Sequence, residues 1–178
     1  NGLVYENPKY LNKSLDKLKL EQQKLSRMTM GSRNYNKQKN RIAKLHLYIA
    51  NQRLDHAHKL STKLIRENQI ISIEDLDIKG MVKKKDTNKS RAILDAGWGQ
   101  FTRLLEYKAT WYGRSVIKIG RYVPSSQRCN HCGSINPAVK DLSIRSWVCP
   151  HCGTTHNRDY NAAINILQEG LKIAATKI

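Results

Sequence analysis

Two long apolar stripes at helical spacing open the chain, and the segments behind them are shorter and mixed. Over residues 9–27, Leu11, Leu15, Leu18 and Leu25 follow steps of four, three and seven, which keeps them on one face of a helix. Pro8 stands where a helix can start, and Gly31, Ser32 and Asn34 interrupt the pattern. Ile42, Leu45, Ile49, Leu60 and Leu64 then predict a second helix over about residues 36–68, joined to the first by a short turn as a helical hairpin. Gln69 to Ile73 is a β-branched run that reads as a buried strand. A loop (VKKKDTNKS) leads to a third helix over residues 91–112, whose packing face is Ile93, Phe101, Leu104, Leu105 and Ala109. Aromatic residues at helical spacing more often fill a core than stack on bases, so Trp98, Trp111 and Tyr112 are read first as core. Gly113 closes that helix and Ser115–Ile119 forms a second short strand. The last helix starts near Asp159, with Ala162, Ala163, Ile166, Leu167, Leu171 and Ala174 as its small-residue face.

Charge changes the picture of the hairpin. The 178 residues hold 32 Lys and Arg against 14 Asp and Glu, a net charge of +18. Residues 1–68 carry +10 of it, residues 69–128 carry +6 and residues 129–178 carry +2. Clustered Lys and Arg point to a polyanionic partner, because phosphate neutralisation releases condensed counterions. The hairpin is therefore the expected nucleic-acid contact surface; the plainer alternative is a coiled-coil spacer with solvated charges. No apolar run approaches the roughly 20 residues of a spanning helix, and no signal peptide or lipidation motif is visible, so no membrane partner and a cytoplasmic location are expected. A chain that starts at Asn1 without Met reads as a fragment or a processed piece.

Candidate chemistry lies in less basic territory. Glu74 ends the first strand, followed by Asp75 and Asp77. Open α/β sheets place ligand sites at the carboxyl ends of strands, whereas the plain alternative is a helix N-terminal acidic cluster. All four cysteines fall in two Cys-x-x-Cys pairs, Cys129/Cys132 and Cys149/Cys152, each followed by glycine. Four thiolates at that spacing predict a closed tetrahedral zinc site, structural and not catalytic, in a ribbon whose hairpin lies between the pairs. Disulfides fit a secreted chain better than this one. His131, His151 and His156 are expected at the surface or behind the ligands. Asp159, near a helix N-terminus, is either simple first-turn charge matching or a ligand.

Taken together, IEDLDIKGM, DAGWGQFTRLLEYKATWYG, PSSQRCNHCG and CPHCGTTHNRDYNAAINIL resemble the C-terminal half of TnpB, the OrfB-type transposon protein related to type V CRISPR effector nucleases. The resemblance covers nearly the whole chain, from NPKYLNKSLDKLKLEQQKLSRMTMGS onward. It implies an α/β fold: an incomplete RuvC-like domain of RNase H type with a long helical hairpin and an inserted four-cysteine zinc ribbon. The implied boundaries are 1–68 for the hairpin, 69–124 for RuvC-like strands and helix, 125–157 for a target nucleic-acid-binding ribbon and 158–178 for the last helix. It further implies an RNA-guided DNA endonuclease with a guide RNA, a DNA target and a nucleoid-associated, prokaryotic setting. Three carboxylates hold Mg2+ in such sites; Glu74 matches the second and Asp159 the third. The first, in a G-I-D-x-G-type strand, has no counterpart here, so the chain alone is expected to be a poor or inactive nuclease that needs association with an N-terminal part. The competing readings are a nuclease-dead zinc-ribbon regulator that binds DNA or RNA and, ranked third, a strand-transferring transposase.

Overall fold

The computed structural model describes residues 2–83 and 87–176. Helices α1 (Tyr10–Ser26) and α2 (Arg33–Glu67) open the chain, and strand β1 (Ile70–Glu74) follows. Helices α3 (Ile78–Lys83), α4 (Thr87–Ala96) and α5 (Trp98–Trp111) connect it to strand β2 (Ser115–Ile119). A 3-10 turn at Pro137–Lys140, strands β3 (Ser146–Val148) and β4 (Thr155–Asn157), and helix α6 (Arg158–Ala175) complete it. The residues divide into two compact units. One gathers Asn1–Val4, Ile65–Leu76 and Glu106–Ile178, the other Tyr5–Leu64 and Asp77–Leu105.

In the first unit β1 and β2 pair in parallel, in register from Ile70 opposite Ser115 to Glu74 opposite Ile119. Parallel neighbours need a long crossover, which α3 to α5 supply. Helix α6 packs on both strands. Its close approach to β1 depends on Gly170: a methyl group built there would lie 2.6 Å from the Ser72 Cβ and overlap the Ser72 hydroxyl. Gly170→Ala adds helix propensity of about 1 kcal/mol, but overpacking a tight contact typically costs about 1–3 kcal/mol. The clash should win, lowering Tm by a few degrees in a thermal melt. An unchanged or raised Tm would show that α6 does not need this contact.

In the second unit α1 and α2 run as a hairpin. Gln38 Nε2 donates to Glu21 O at 2.9 Å and to Glu21 Oε2 at 2.7 Å. Tyr10 sets its ring edge-on to His56, 6.2 Å between centroids. The Lys24 ammonium and the Gln38 amide hold the Glu21 carboxyl below its usual range. The hairpin thus consumes an acid internally, while Lys13, Lys17, Lys37, Lys39 and Lys44 remain exposed.

Several expected features take a different form. The third helix is two, because Gly97 adopts φ +65° between α4 and α5. Within α5, Leu104, Leu105 and Ala109 are buried as expected, yet Trp98 and Trp111, and Tyr112 just beyond the helix, are 50%, 75% and 42% exposed. They are not core. Strand β1 is half-buried where full burial was expected; β2 is its one strand partner among the described residues. The expected loop at VKKKDTNKS is helical at both ends, in α3 and α4, and its middle residues 84–86 lie outside the described residues. The buried residues of α6 are Arg158, Asn161, Asn165 and Gly170, so polar and glycine positions replace the alanine-leucine face, and Leu167 and Leu171 stay exposed.

Candidate metal centre and carboxylate site

Each Cys-x-x-Cys pair builds the same turn. Cys129 N donates to Ser134 O at 2.8 Å and Gly133 N to Cys129 O at 2.9 Å. Cys149 N donates to Thr154 O and Gly153 N to Cys149 O, both at 2.9 Å. Gly133 and Gly153 sit at φ +78° and +71°, a conformation that residues with a Cβ rarely adopt. The hairpin closes around the second pair, not between the pairs as expected. β3 and β4 are antiparallel with Trp147 opposite His156, and the first pair is flanked by a single bridge between Arg128 and Ile135.

These turns bring all four sulfurs within 4.8 Å of one another, and all four cysteines are free thiols. Cys129 Sγ lies 3.7 Å from Cys152 Sγ and Cys132 Sγ 3.6 Å from Cys149 Sγ. A disulfide needs about 2.05 Å, whereas ligands about 2.3 Å from a tetrahedral ion sit about 3.8 Å apart. The geometry fits four thiolates around one metal such as zinc. Cys129, Cys149, Val139 and Trp147 form a small core with Ile144 and Cys152 against it.

The surroundings tune the thiols unequally. Burial pushes the Cys129 thiol up to about 11. The Ser134 hydroxyl, 3.2 Å from Cys149 Sγ, leads the pull that takes that thiol down to about 5, and the Thr154 hydroxyl lowers Cys152. His131 and His151 are exposed. His156 is buried, packs at 4.7 Å on the Trp147 ring, and sets Nε2 3.0 Å from Cys129 Sγ. It stands behind a ligand, where an N–H donor steadies a thiolate.

A ladder of polar contacts runs from this centre to Glu74. Asn161 Nδ2 donates to Arg128 O at 2.7 Å and its Oδ1 accepts from Asn130 N at 2.9 Å. Asn165 Nδ2 donates to Arg128 O at 2.6 Å and to Ser125 O at 2.8 Å. The buried Ser125 hydroxyl then donates to Glu74 Oε1 at 2.6 Å, a short charge-assisted bond. Glu74 is exposed at the end of β1. The other two acids of that stretch have local work. Arg121 binds Asp75 Oδ2 at 2.8 Å, and Asp77 Oδ1 accepts from Gly80 N at 3.0 Å at the start of α3.

Asp159 is the first-turn acid of α6. The turn is capped by Asn157, whose side chain accepts from Asp159 N and Tyr160 N at 3.1 Å each. Its carboxylate is 77% exposed, with Arg145 Nη1 at 3.8 Å. Asn165 follows six residues later on the same helix, about 9 Å along the axis. Glu74 and Asp159 therefore belong to one unit and hang on the same helix-anchored framework. Among the described residues the cysteines are the one group of three or more candidate ligands close enough to share a metal.

Sequence reasoning missed Ser134 and Thr154, although the repeated Cys-Gly-Ser and Cys-Gly-Thr endings mark them. It also missed Ser125, Asn161 and Asn165, of which only the two asparagines four apart on a helix leave a visible signal.

Comparison with known proteins agrees with this architecture. Residues 98–166 match the family model described as "Cas12f1-like, TNB domain", and residues 2–85 match the OrfB model described as "Probable transposase". A Streptomyces pristinaespiralis protein named "Putative RNA-guided DNA endonuclease" is 42% identical over 174 residues, 98% of this chain and 42% of that protein. The "Putative RNA-guided DNA endonuclease InsQ" of Escherichia coli K12 is 36% identical over 188 residues, 98% of this chain and 46% of that protein. The structure titled "Cryo-EM structure of the Cas12f1-sgRNA-target DNA complex" superposes with a TM-score of 0.60 at 19% identity, covering 93% of this chain and 44% of that one. The fold is thus an α/β fold similar to Cas12f1. The chain is a TnpB-type protein, and it spans less than half the length of the curated relatives it matches. No helix among the described residues is long and apolar enough to cross a membrane.

Proposed function

We propose that these residues form the C-terminal part of an RNA-guided DNA endonuclease. In this reading they are an incomplete RuvC-like domain that contributes two of three metal-holding carboxylates, Glu74 and Asp159. The observation that carries it is Glu74 itself. It stands at the carboxyl end of a parallel strand and is bound through Ser125 and Asn165 to the helix that bears Asp159, while its acidic neighbours are engaged elsewhere. Carboxylate oxygens suit Mg2+, which in such sites activates water and neutralises charge developing on a phosphodiester. The protein's own task is to hold the two carboxylates in place.

In the same reading the hairpin of residues 1–68 faces nucleic acid, residues 69–124 are the RuvC-like strands and helices, and residues 125–157 are a zinc ribbon. The closing segment 158–178 carries the third carboxylate. The first carboxylate and most of the guide-RNA contacts come from outside these residues, so this chain alone should cleave poorly or not at all. Adding the complementary N-terminal part, with guide RNA and Mg2+, should restore cleavage of target DNA. Restored cleavage that Glu74→Gln leaves intact would overturn the assignment. A regulator that only binds nucleic acid would cleave in neither case.

Ser125 should act by positioning. Groups that orient a metal ligand typically carry about a 10- to 100-fold effect, so Ser125→Ala should lower cleavage at limiting Mg2+ by about tenfold. Saturating Mg2+ should recover part of the loss, and Ser125→Thr should retain most activity. A loss that ignores Mg2+ concentration would point to simple structural damage.

A further inference from the structure

We infer that an aromatic pocket in the helical unit takes one unstacked nucleobase of a single-stranded nucleic acid. The inference rests on the nucleic-acid reading above and adds a site to it, separate from the carboxylates and the cysteines. The pocket encloses about 170 Å3. A cavity of about 150 Å3 holds a benzene ring, so a base-sized ring fits partly enclosed with its sugar outside. Tyr5, Tyr10, Trp98 and Phe101 line it together with the imidazole of His56.

The fold builds this pocket deliberately at one point. Arg53, His56, Ala57 and Leu60 recur at helical spacing on one stripe of α2 and form one wall. The opposite wall is the break between α4 and α5, where Gly97 at φ +65° turns the chain and leaves Trp98 half exposed. Of the charged groups that line it, Glu6 is exposed to solvent, while Asp95 and Arg53 are already matched. Asp95, 4% exposed, accepts from Leu11 N at 3.2 Å and pairs with Arg53 at 3.8 Å, and Arg53 Nη1 donates to Leu94 O at 3.1 Å. Recognition is left to ring faces and to the His56 ring and Gln100 carboxamide, which offer donors and acceptors to a base edge.

Charge selects the occupant. Lys63 Nζ lies 5.3 Å from the Tyr5 ring centroid and Lys13 Nζ 6.0 Å from that of Tyr10. Residues 5–64 hold 14 basic and 4 acidic side chains. Tyr5 is exposed and Tyr10 half-buried, and accessible rings with ammonium groups beside them are the pattern of single-strand binding, in which bases stack and phosphates meet cations. An aromatic side chain of a partner protein brings no phosphates to those cations, whereas each base of a single strand does.

The test uses the 178-residue chain and two fluorescein-labelled 12-nucleotide strands, one of mixed sequence and one fully abasic, read by anisotropy. Stacking one base on an aromatic side chain contributes about 1–3 kcal/mol. Trp98→Ala should therefore weaken the mixed strand about tenfold and leave the abasic strand unchanged. Trp98→Leu, which keeps apolar volume and so guards against misfolding, should behave alike, and Trp98→Phe should retain most of the affinity. Equal effects on both strands, or none on either, would overturn the pocket while leaving electrostatic binding standing. Failure to bind either strand would remove the nucleic-acid reading together with the pocket.

Discussion

Cys129→Ser should release the metal and unfold the ribbon, the largest effect expected of any single substitution in this chain. Structural zinc in small domains supplies roughly 10–16 kcal/mol of apparent binding free energy at neutral pH. Without it, the ribbon's core reduces to Val139, Trp147 and Ile144 beside three thiols, too little to order some thirty residues. Metal content should fall from about one zinc per chain to none, and the near-ultraviolet circular dichroism of buried Trp147 should flatten. The ladder through Asn161 and Asn165 to Ser125 would lose its anchor, so Glu74 should be disturbed as well. A variant that kept stoichiometric metal and an ordered Trp147 would refute the four-thiolate site.

The same centre predicts a pH response with a definite sign. Metal binding to Cys129 must expel a proton from a thiol pushed up to about 11 by burial, whereas Cys149, pulled to about 5, is already a thiolate at neutral pH. Zinc affinity should rise with pH from neutrality toward 11. It should fall on acidification, most steeply below about 5, where Cys149 also binds a proton. Competition against a colorimetric chelator across that range measures it, and a pH-independent affinity would contradict it.

Glu74→Gln and Asp159→Asn should have the next largest effects. Each replaces a charged oxygen ligand by a neutral amide of the same shape. A metal ion at a reacting phosphate provides several kcal/mol of transition-state stabilisation, and each 1.36 kcal/mol is tenfold in rate. Either variant should therefore cut Mg2+-dependent cleavage by the reconstituted nuclease at least about a hundredfold. Both side chains are exposed, neither substitution opens a cavity, and an amide oxygen at position 74 can still accept from Ser125, so Tm should fall by no more than a few degrees. The double variant should lose little more than either single one, because groups serving one site do not add. Asp75→Asn, which disturbs only the pair with Arg121, is the control and should retain activity.

The elements legible from sequence are those with strong local signals. The α1 and α2 stripes, the β-branched run of β1, and the cysteine pairs with their glycines each follow from periodicity or ligand spacing. What stayed hidden depends on distant partners. The α6 face reads as alanine and leucine, yet Asn161 and Asn165 are buried because the backbone at Ser125, Arg128 and Asn130 meets their amides. Nothing local announces those carbonyls. Trp98 reads as core because aromatic residues at helical spacing usually are, but Gly97 starts a new helix and leaves the ring half exposed. The ribbon hairpin was misplaced for a similar reason. Val148 pairs with Thr155 across the second pair of cysteines, and the stretch between the pairs, held by a 3-10 turn with buried Val139, carries no alternation to betray it.

In the proposed nuclease, Glu74 and Asp159 grip one metal centre. Anomalous diffraction from crystals of a full-length polypeptide containing these residues, with Mn2+ in place of Mg2+, tests that most directly. The predicted result is a manganese site with an oxygen of each carboxylate in its coordination shell, at about the 2.1 Å expected for such ions. Manganese bound by one of the two alone, or at neither, would contradict it.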